Sequence, residues 1–205
     1  MRASNILEVS EHTQLVRDYM IEVMKVKRPE RDYVRVVVAG AFCEQPPLAL
    51  IRALEGSGCY IVDDDWVLGA RFHLKDIATS GDPMEALVQA YMKDTVSTAS
   101  RYEVGEKKGQ YLIDLVRSRK ADGVVFAAAS FCDPALLDRP MAQASLDAAK
   151  IPNTGFKYAE NTGQIQIIKE ETGTFADSIK LWSGQLVKQS NKMSLKKKVW
   201  SCKKT

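Results

Sequence analysis

The chain has 205 residues, 45% of them hydrophobic and 27% charged, the balance of a globular protein with one good-sized core. No apolar run nears the roughly 20 residues that span a bilayer, and the first residues, interrupted by Glu8, Glu11 and His12, do not read as a signal peptide, so a cytoplasmic protein without membrane contact is expected. The net charge of +3 resides in the end of the chain, because residues 183–205 hold seven lysines and no acid and the remainder is net negative. Lysine-rich ends suit nucleic acid or anionic lipid, but this one carries few apolar residues and reads as a solvated, disordered tail, so no nucleic-acid partner is expected.

The rest alternates helix and strand. Val9 to Val26 places Leu15, Val16, Tyr19, Met20 and Val23 at helical spacing until Arg28 and Pro29 break it. Val34 to Ala39 is a β-branched strand ended by Gly40, and Pro46 and Pro47 open a helix that Gly56-Ser57-Gly58 stops. Cys59 to Val62 is a second strand, capped by Asp63, Asp64 and Asp65. Gly81-Asp82-Pro83 turns the chain into a helix from Met84 to Lys93, and another covers Lys107 to Lys120. The run Val124 to Ala129 has the composition of a buried parallel strand. Pro134 then opens a helix over Ala135 to Lys150, since proline's missing N–H would be unpaired in a first turn anyway. A short strand at Gly155 to Tyr158 and a helix over Thr162 to Trp182 follow. This pattern predicts an α/β three-layer sandwich, a parallel flavodoxin- or Rossmann-like sheet flanked by helices. Residues 1–182 form one domain in this reading and 183–205 the tail.

In a parallel sheet the carboxyl ends of all strands share one rim, where ligands gather. Four loops at that rim carry Cys43 with Glu44, Asp63 with its two neighbouring acids, Cys132 with Asp133, and Glu160 with Asn161. One site drawing on all of them is the expectation. Cys132 stands out, because it ends a strand just before a helix N-terminus, whose field favours a thiolate. As a nucleophile it lacks a base, since no motif brings His12 or His73 near. As an iron ligand it needs thiolates from other loops. A structural cysteine is as good a reading as a ligand at this level.

The remaining motifs exclude more than they assign. None of Cys43, Cys59, Cys132 and Cys202 forms a Cys-x-x-Cys pair, which argues against a zinc site. Cys59 lies within a strand and reads as a small core hydrophobe. The turn Gly40-Ala41-Phe42-Cys43-Glu44 places a bulky and an anionic residue where a pyrophosphate demands glycine, so NAD is not expected. No Walker loop is present to take ATP by that route. The Asp63-Asp64-Asp65 triplet has the chemistry for magnesium or calcium, but adjacent side chains diverge, and an acidic strand end that caps the next turn is the better reading.

Six segments, in order, resemble one family. They are Ala-Gly-Ala-Phe-Cys-Glu-Gln-Pro-Pro from Ala39, Leu-Glu-Gly-Ser-Gly-Cys-Tyr-Ile-Val-Asp-Asp-Asp from Leu54, Gly-Ala-Arg from Gly69, Ala-Asp-Gly-Val-Val-Phe from Ala121, Ser-Phe-Cys-Asp-Pro from Ser130 and Lys-Tyr-Ala-Glu-Asn-Thr-Gly-Gln from Lys157. They resemble the C-subunit family of ATP-dependent benzoyl-CoA reductases, within the 2-hydroxyacyl-CoA dehydratase superfamily, as far as about Trp182. The resemblance implies a 4Fe-4S cluster held between two α/β domains by three cysteines, of which Cys132 is the one carried over to this chain. It also implies a homologous cluster subunit, ATP-hydrolysing activator subunits as the only ATP sites, ferredoxin as electron donor, and benzoyl-CoA or a related acyl-CoA as substrate. The chain corresponds to the second family domain, so a truncated subunit is expected. Two other readings stand beside the reductase: a 2-hydroxyacyl-CoA dehydratase component, and a non-catalytic remnant or interaction module without a cluster.

Overall fold

Four strands pair into one parallel sheet: β1 (Val34–Ala39), β2 (Cys59–Asp64), β3 (Gly123–Ala129) and β4 (Asn153–Tyr158), in the order β2-β1-β3-β4. The computed structural model describes residues 3, 6–40, 46–66, 75–96, 108–159 and 164–182. β1 lies beside β3 from Val36↔Gly123 to Ala39↔Phe126, and β3 beside β4 from Val124↔Asn153 to Ala129↔Tyr158. Between β1 and β2 the register slips after Val36, so that Val37 faces Asp63. The central strands β1 and β3 are buried on both faces over nearly their whole length, which is why they read as unbroken apolar runs rather than alternating ones.

Helices cover both faces. α2 (Leu48–Gly56) and α6 (165–182) lie on one, α4 (Gln110–Arg119) and α5 (Asp133–Ala148) on the other; the chain also forms α1 (Val9–Lys25) and α3 (Pro83–Lys93), which bury none of their residues. The two-residue period of a strand sorts its side chains between the layers. Val36, Val38, Val125 and Ala127 meet Leu50 and Leu54 of α2 and Ile168, Phe175 and Ala176 of α6. Val37, Ala39, Val124 and Phe126 meet Leu112, Ile113 and Val116 of α4 and Ala142 and Leu146 of α5. The three-layer sandwich expected from the alternation is the observed architecture.

The chain divides into two compact units, residues 1–32 and 33–205. The first holds α1, stitched along its length by Thr13 Oγ1 donating to the Val9 carbonyl, Gln14 to Asp18 and Lys25 to Glu22. In the second, α3 is capped by Asp82, whose carboxylate accepts from the N–H groups of Met84 and Glu85 at 2.7 and 3.0 Å. None of the described helices is long and apolar enough to cross a membrane. Residues 183–205, assigned to a tail on sequence grounds, lie outside the described residues.

α4 begins at Gln110 rather than Lys107 because Gly109, at φ 92°, takes a left-handed conformation that ends any earlier helical turn. It also marks a close approach, since a Cβ there would sit 2.9 Å from the Cα and carbonyl oxygen of Ala142 in α5. Gly81 has nearly the same φ, 91°, with open space around it. Gly81→Ala is therefore expected to cost about 1 kcal/mol in backbone strain alone, and Gly109→Ala about 2–4 kcal/mol because the helix pair must also part. Urea midpoints of the two variants measure the difference, and equal losses would contradict the close packing of α4 on α5.

Candidate functional site

β1 is where the winding of the sheet reverses. The chain runs from β1 through α2 to β2 on one side, then returns by α4 to β3 on the other, with α2 and α4 on opposite faces. At such a switch point the connections leaving two neighbouring strands part, and a crevice opens beyond their carboxyl ends. Here the crevice is flanked by Gly40, after β1, and by the turn Ser130-Phe131-Cys132, after β3.

That turn is held firmly. The Ser130 N–H and hydroxyl both donate to the Tyr158 carbonyl, at 2.8 and 2.9 Å, fixing it to the end of β4. The Cys132 N–H donates to the Ala129 carbonyl at 3.0 Å, and the Cys132 carbonyl accepts the first helical bond of α5 from Leu136. The two side chains of the turn face opposite environments: Cys132 is 2% exposed and Phe131 95% exposed. Cys132 is the N-cap residue of α5 but makes no side-chain cap bond, so its thiol sits in the positive end of a 16-residue helix without being used by it.

The acidic triplet sends its carboxylates to separate partners. Arg119 Nε donates to Asp63 at 2.6 Å on the α4 side of the sheet. Asp64 accepts from the Trp66 N–H at 3.0 Å, an Asx-type turn that closes the strand end. Asp65, 1% exposed, accepts from the Gly40 N–H and from the Tyr111 hydroxyl, each at 2.9 Å, while its own N–H donates to the Val38 carbonyl. The triplet is thus a strand terminus and a tie between β2, β1 and α4. Burial raises the Asp64 carboxyl from 3.8 to about 6; the Trp66 N–H opposes the shift, and the charges of Asp63 and Asp65 add to it. The indole N–H of Trp66 is buried with no hydrogen-bond partner among the described residues.

Of the residues expected at the rim, Cys132 lies at the switch-point crevice and Asp133 is exposed in the first turn of α5, where a carboxylate complements the helix dipole. Asp63 is engaged by Arg119. Cys43, Glu44, Glu160 and Asn161 lie outside the described residues. Cys59 is at the amino end of β2, its thiol pushed up to about 11 chiefly by burial, against a smaller opposing effect of Lys180, which disfavours the thiolate a metal needs. Among the described residues no group of three or more His, Cys, Asp and Glu side chains stands close enough to hold a metal ion. The residues that sequence reasoning did not single out are Tyr111 and Trp66. Tyr111 is 46 positions from the carboxylate it meets, and no local pattern signals such a pairing.

The family model for the 2-hydroxyglutaryl-CoA dehydratase D-component matches residues 1–179. The chain belongs to this family. It is 53% identical to the C-subunit of benzoyl-CoA reductase from Thauera aromatica over 184 residues, 89% of this chain and 48% of that protein. It is 29% identical to the (R)-phenyllactyl-CoA dehydratase beta subunit of Clostridium sporogenes over 75% of this chain and 40% of that one. With the beta subunit of (R)-2-hydroxyglutaryl-CoA dehydratase from Acidaminococcus fermentans the identity is 24%, over 87% and 48%. The chain spans about half the length of the curated relatives it matches.

Two outcomes follow for the site's scaffold. Tyr111→Phe withdraws a donor from a buried carboxylate and is expected to cost about 1–3 kcal/mol in denaturant unfolding; a loss within experimental error would mean that the tie carries no stability. For Asp64 the folded-state carboxyl binds its proton more tightly than the unfolded one, so its contribution to stability is intact below about pH 4, declines as pH rises towards 6, and is flat above. Asp64→Asn keeps the acceptor for the Trp66 N–H and removes the titration. The variant should therefore gain stability relative to wild type across that window, and parallel pH profiles of the two proteins would contradict the assignment.

Proposed function

We propose that the chain is part of a subunit of an ATP-dependent benzoyl-CoA reductase, a cytoplasmic complex that reduces the aromatic ring of benzoyl-CoA to a cyclic diene. What carries this reading is the 53% identity with a benzoyl-CoA reductase subunit, against 29% and 24% with dehydratase subunits over comparable stretches. ATP hydrolysis and low-potential electron delivery fall to partner subunits, with ferredoxin as donor and a homologous cluster subunit alongside. The chain itself takes no NAD.

The described residues by themselves do not fit a 4Fe-4S cluster, because they bring a single thiol to the rim, buried, with no companion ligands. In this reading Cys132 supplies one thiolate and the others come from polypeptide outside the described residues. The part that can be derived from this chain is the setting of that thiol. It stands at the N-terminal end of α5, the hydrogen bonds of the turn fix its position, and its surroundings exclude water.

The family model's own name favours a second reading, a 2-hydroxyacyl-CoA dehydratase component. Anaerobic reconstitution of the chain with a full-length family N-terminal domain and the activator subunits separates the readings, with benzoyl-CoA and a 2-hydroxyacyl-CoA as alternative substrates. The expected result is ATP-dependent ring reduction and a full complement of iron and sulfide, both lost in Cys132→Ala. Dehydration without ring reduction would establish the second reading. Iron content unchanged by Cys132→Ala would remove the ligand assignment, and absence of iron throughout would leave a non-catalytic module.

A further inference from the structure

A helix flanking a sheet buries one apolar stripe and turns polar residues to water. α5 carries two. Ala142 and Leu146 face the sheet. On the outer side, Pro134, Leu137, Met141, Ala144 and Ala148 follow at spacings of three and four residues, the repeat with which one helix seats against another. Leu137 is 68% exposed and Met141 51% exposed, and Ala144 and Ala148 are at least partly open to solvent.

The stripe is graded, large residues first and small ones after. Alongside the small end lies a groove of about 480 Å³, lined by Ala144, Ser145, Ala148 and Ala149 of α5 and its flank and by Gln110, Ile113 and Arg117 of α4. An antiparallel copy of the same helix complements this grading. When Met141 of one copy opposes Ala144 of the other, Leu137 opposes Ala148, and each large side chain enters the groove left by a small one. The charges agree with this register. Arg117 stands at the small end with no hydrogen bond or ion pair of its side chain among the described residues, and Asp133 stands exposed at the large end, equally without one. Antiparallel pairing brings the Arg117 guanidinium of each copy to the Asp133 carboxylate of the other.

We propose that the outer face of α5 and the α4–α5 groove bind a second copy of this chain in a two-fold, antiparallel contact. Every contact then occurs twice, as an isologous interface requires. A pair of helices is at the small end of protein interfaces, so the association is weak, with a dissociation constant in the range of about 1–100 µM.

Sedimentation equilibrium of the full chain from micromolar to submillimolar concentration tests this. A reversible dimer is expected for the wild type. Met141→Glu should weaken it at least about tenfold while leaving the circular dichroism and thermal midpoint unchanged, because Met141 is half exposed in the monomer. Arg117→Asp and Asp133→Arg should each weaken it about tenfold, and the double variant carrying both should recover to within a few-fold of wild type. A chain that stays monomeric throughout overturns the proposal, as does a dimer indifferent to Met141→Glu. A double charge variant no stronger than either single one overturns the antiparallel register. None of these outcomes depends on the acyl-CoA reading.

Discussion

The buried carboxylate of Asp65 ties the end of β2 to the end of β1 and to α4, and the position of the candidate site follows from that tie. A carboxylate removed from water is costly unless its oxygens are satisfied. Here the Gly40 N–H and the Tyr111 hydroxyl satisfy them. Gly40 in turn stands against Ala127 of β3, whose carbonyl oxygen would be 3.5 Å from a Cβ at that position. Ser130 then fixes the end of β3 to the end of β4. Through these contacts the carboxyl end of β2 is tied to that of β1, and the end of β3 to that of β4, on either side of the switch point.

What stands at that crevice is economical. The described chain presents one thiol at a helix N-terminus, on a turn that leaves an aromatic side chain in water beside it. A phenylalanine turned outwards on a hydrogen-bonded turn is held there by the backbone, at the cost of about 2 kcal/mol of unrealised burial.

Much of this architecture was legible in the sequence. β1 and the body of β3 were recognisable because strands buried on both faces appear as continuous Val, Ala and Phe runs. The edge strands were read short, since β2 continues through Asp63 and Asp64 and β4 starts at Asn153 and Thr154, polar residues that ladder pairing with a neighbour retains in the sheet. The place of Cys132 could be read because Pro134 marks a helix start. Its burial could not, since that depends on which elements close over the turn. The roles of the three adjacent aspartates were visible only as divergence; the particular partners, Arg119, Trp66 and Tyr111, are set by how α4 lies on the sheet, which no local pattern encodes.

The central proposal is that Cys132, just beyond the carboxyl end of β3, is the point where this chain meets an iron-sulfur centre completed elsewhere. Anomalous scattering at the iron edge from crystals of the assembled complex tests it most directly. The account predicts iron within bonding distance of the Cys132 sulfur, beyond the ends of β1 and β3, with the Ser130 and Cys132 hydrogen bonds of the turn preserved. Iron bound wholly by other residues, with the Cys132 thiol still enclosed as a free core cysteine, would contradict it.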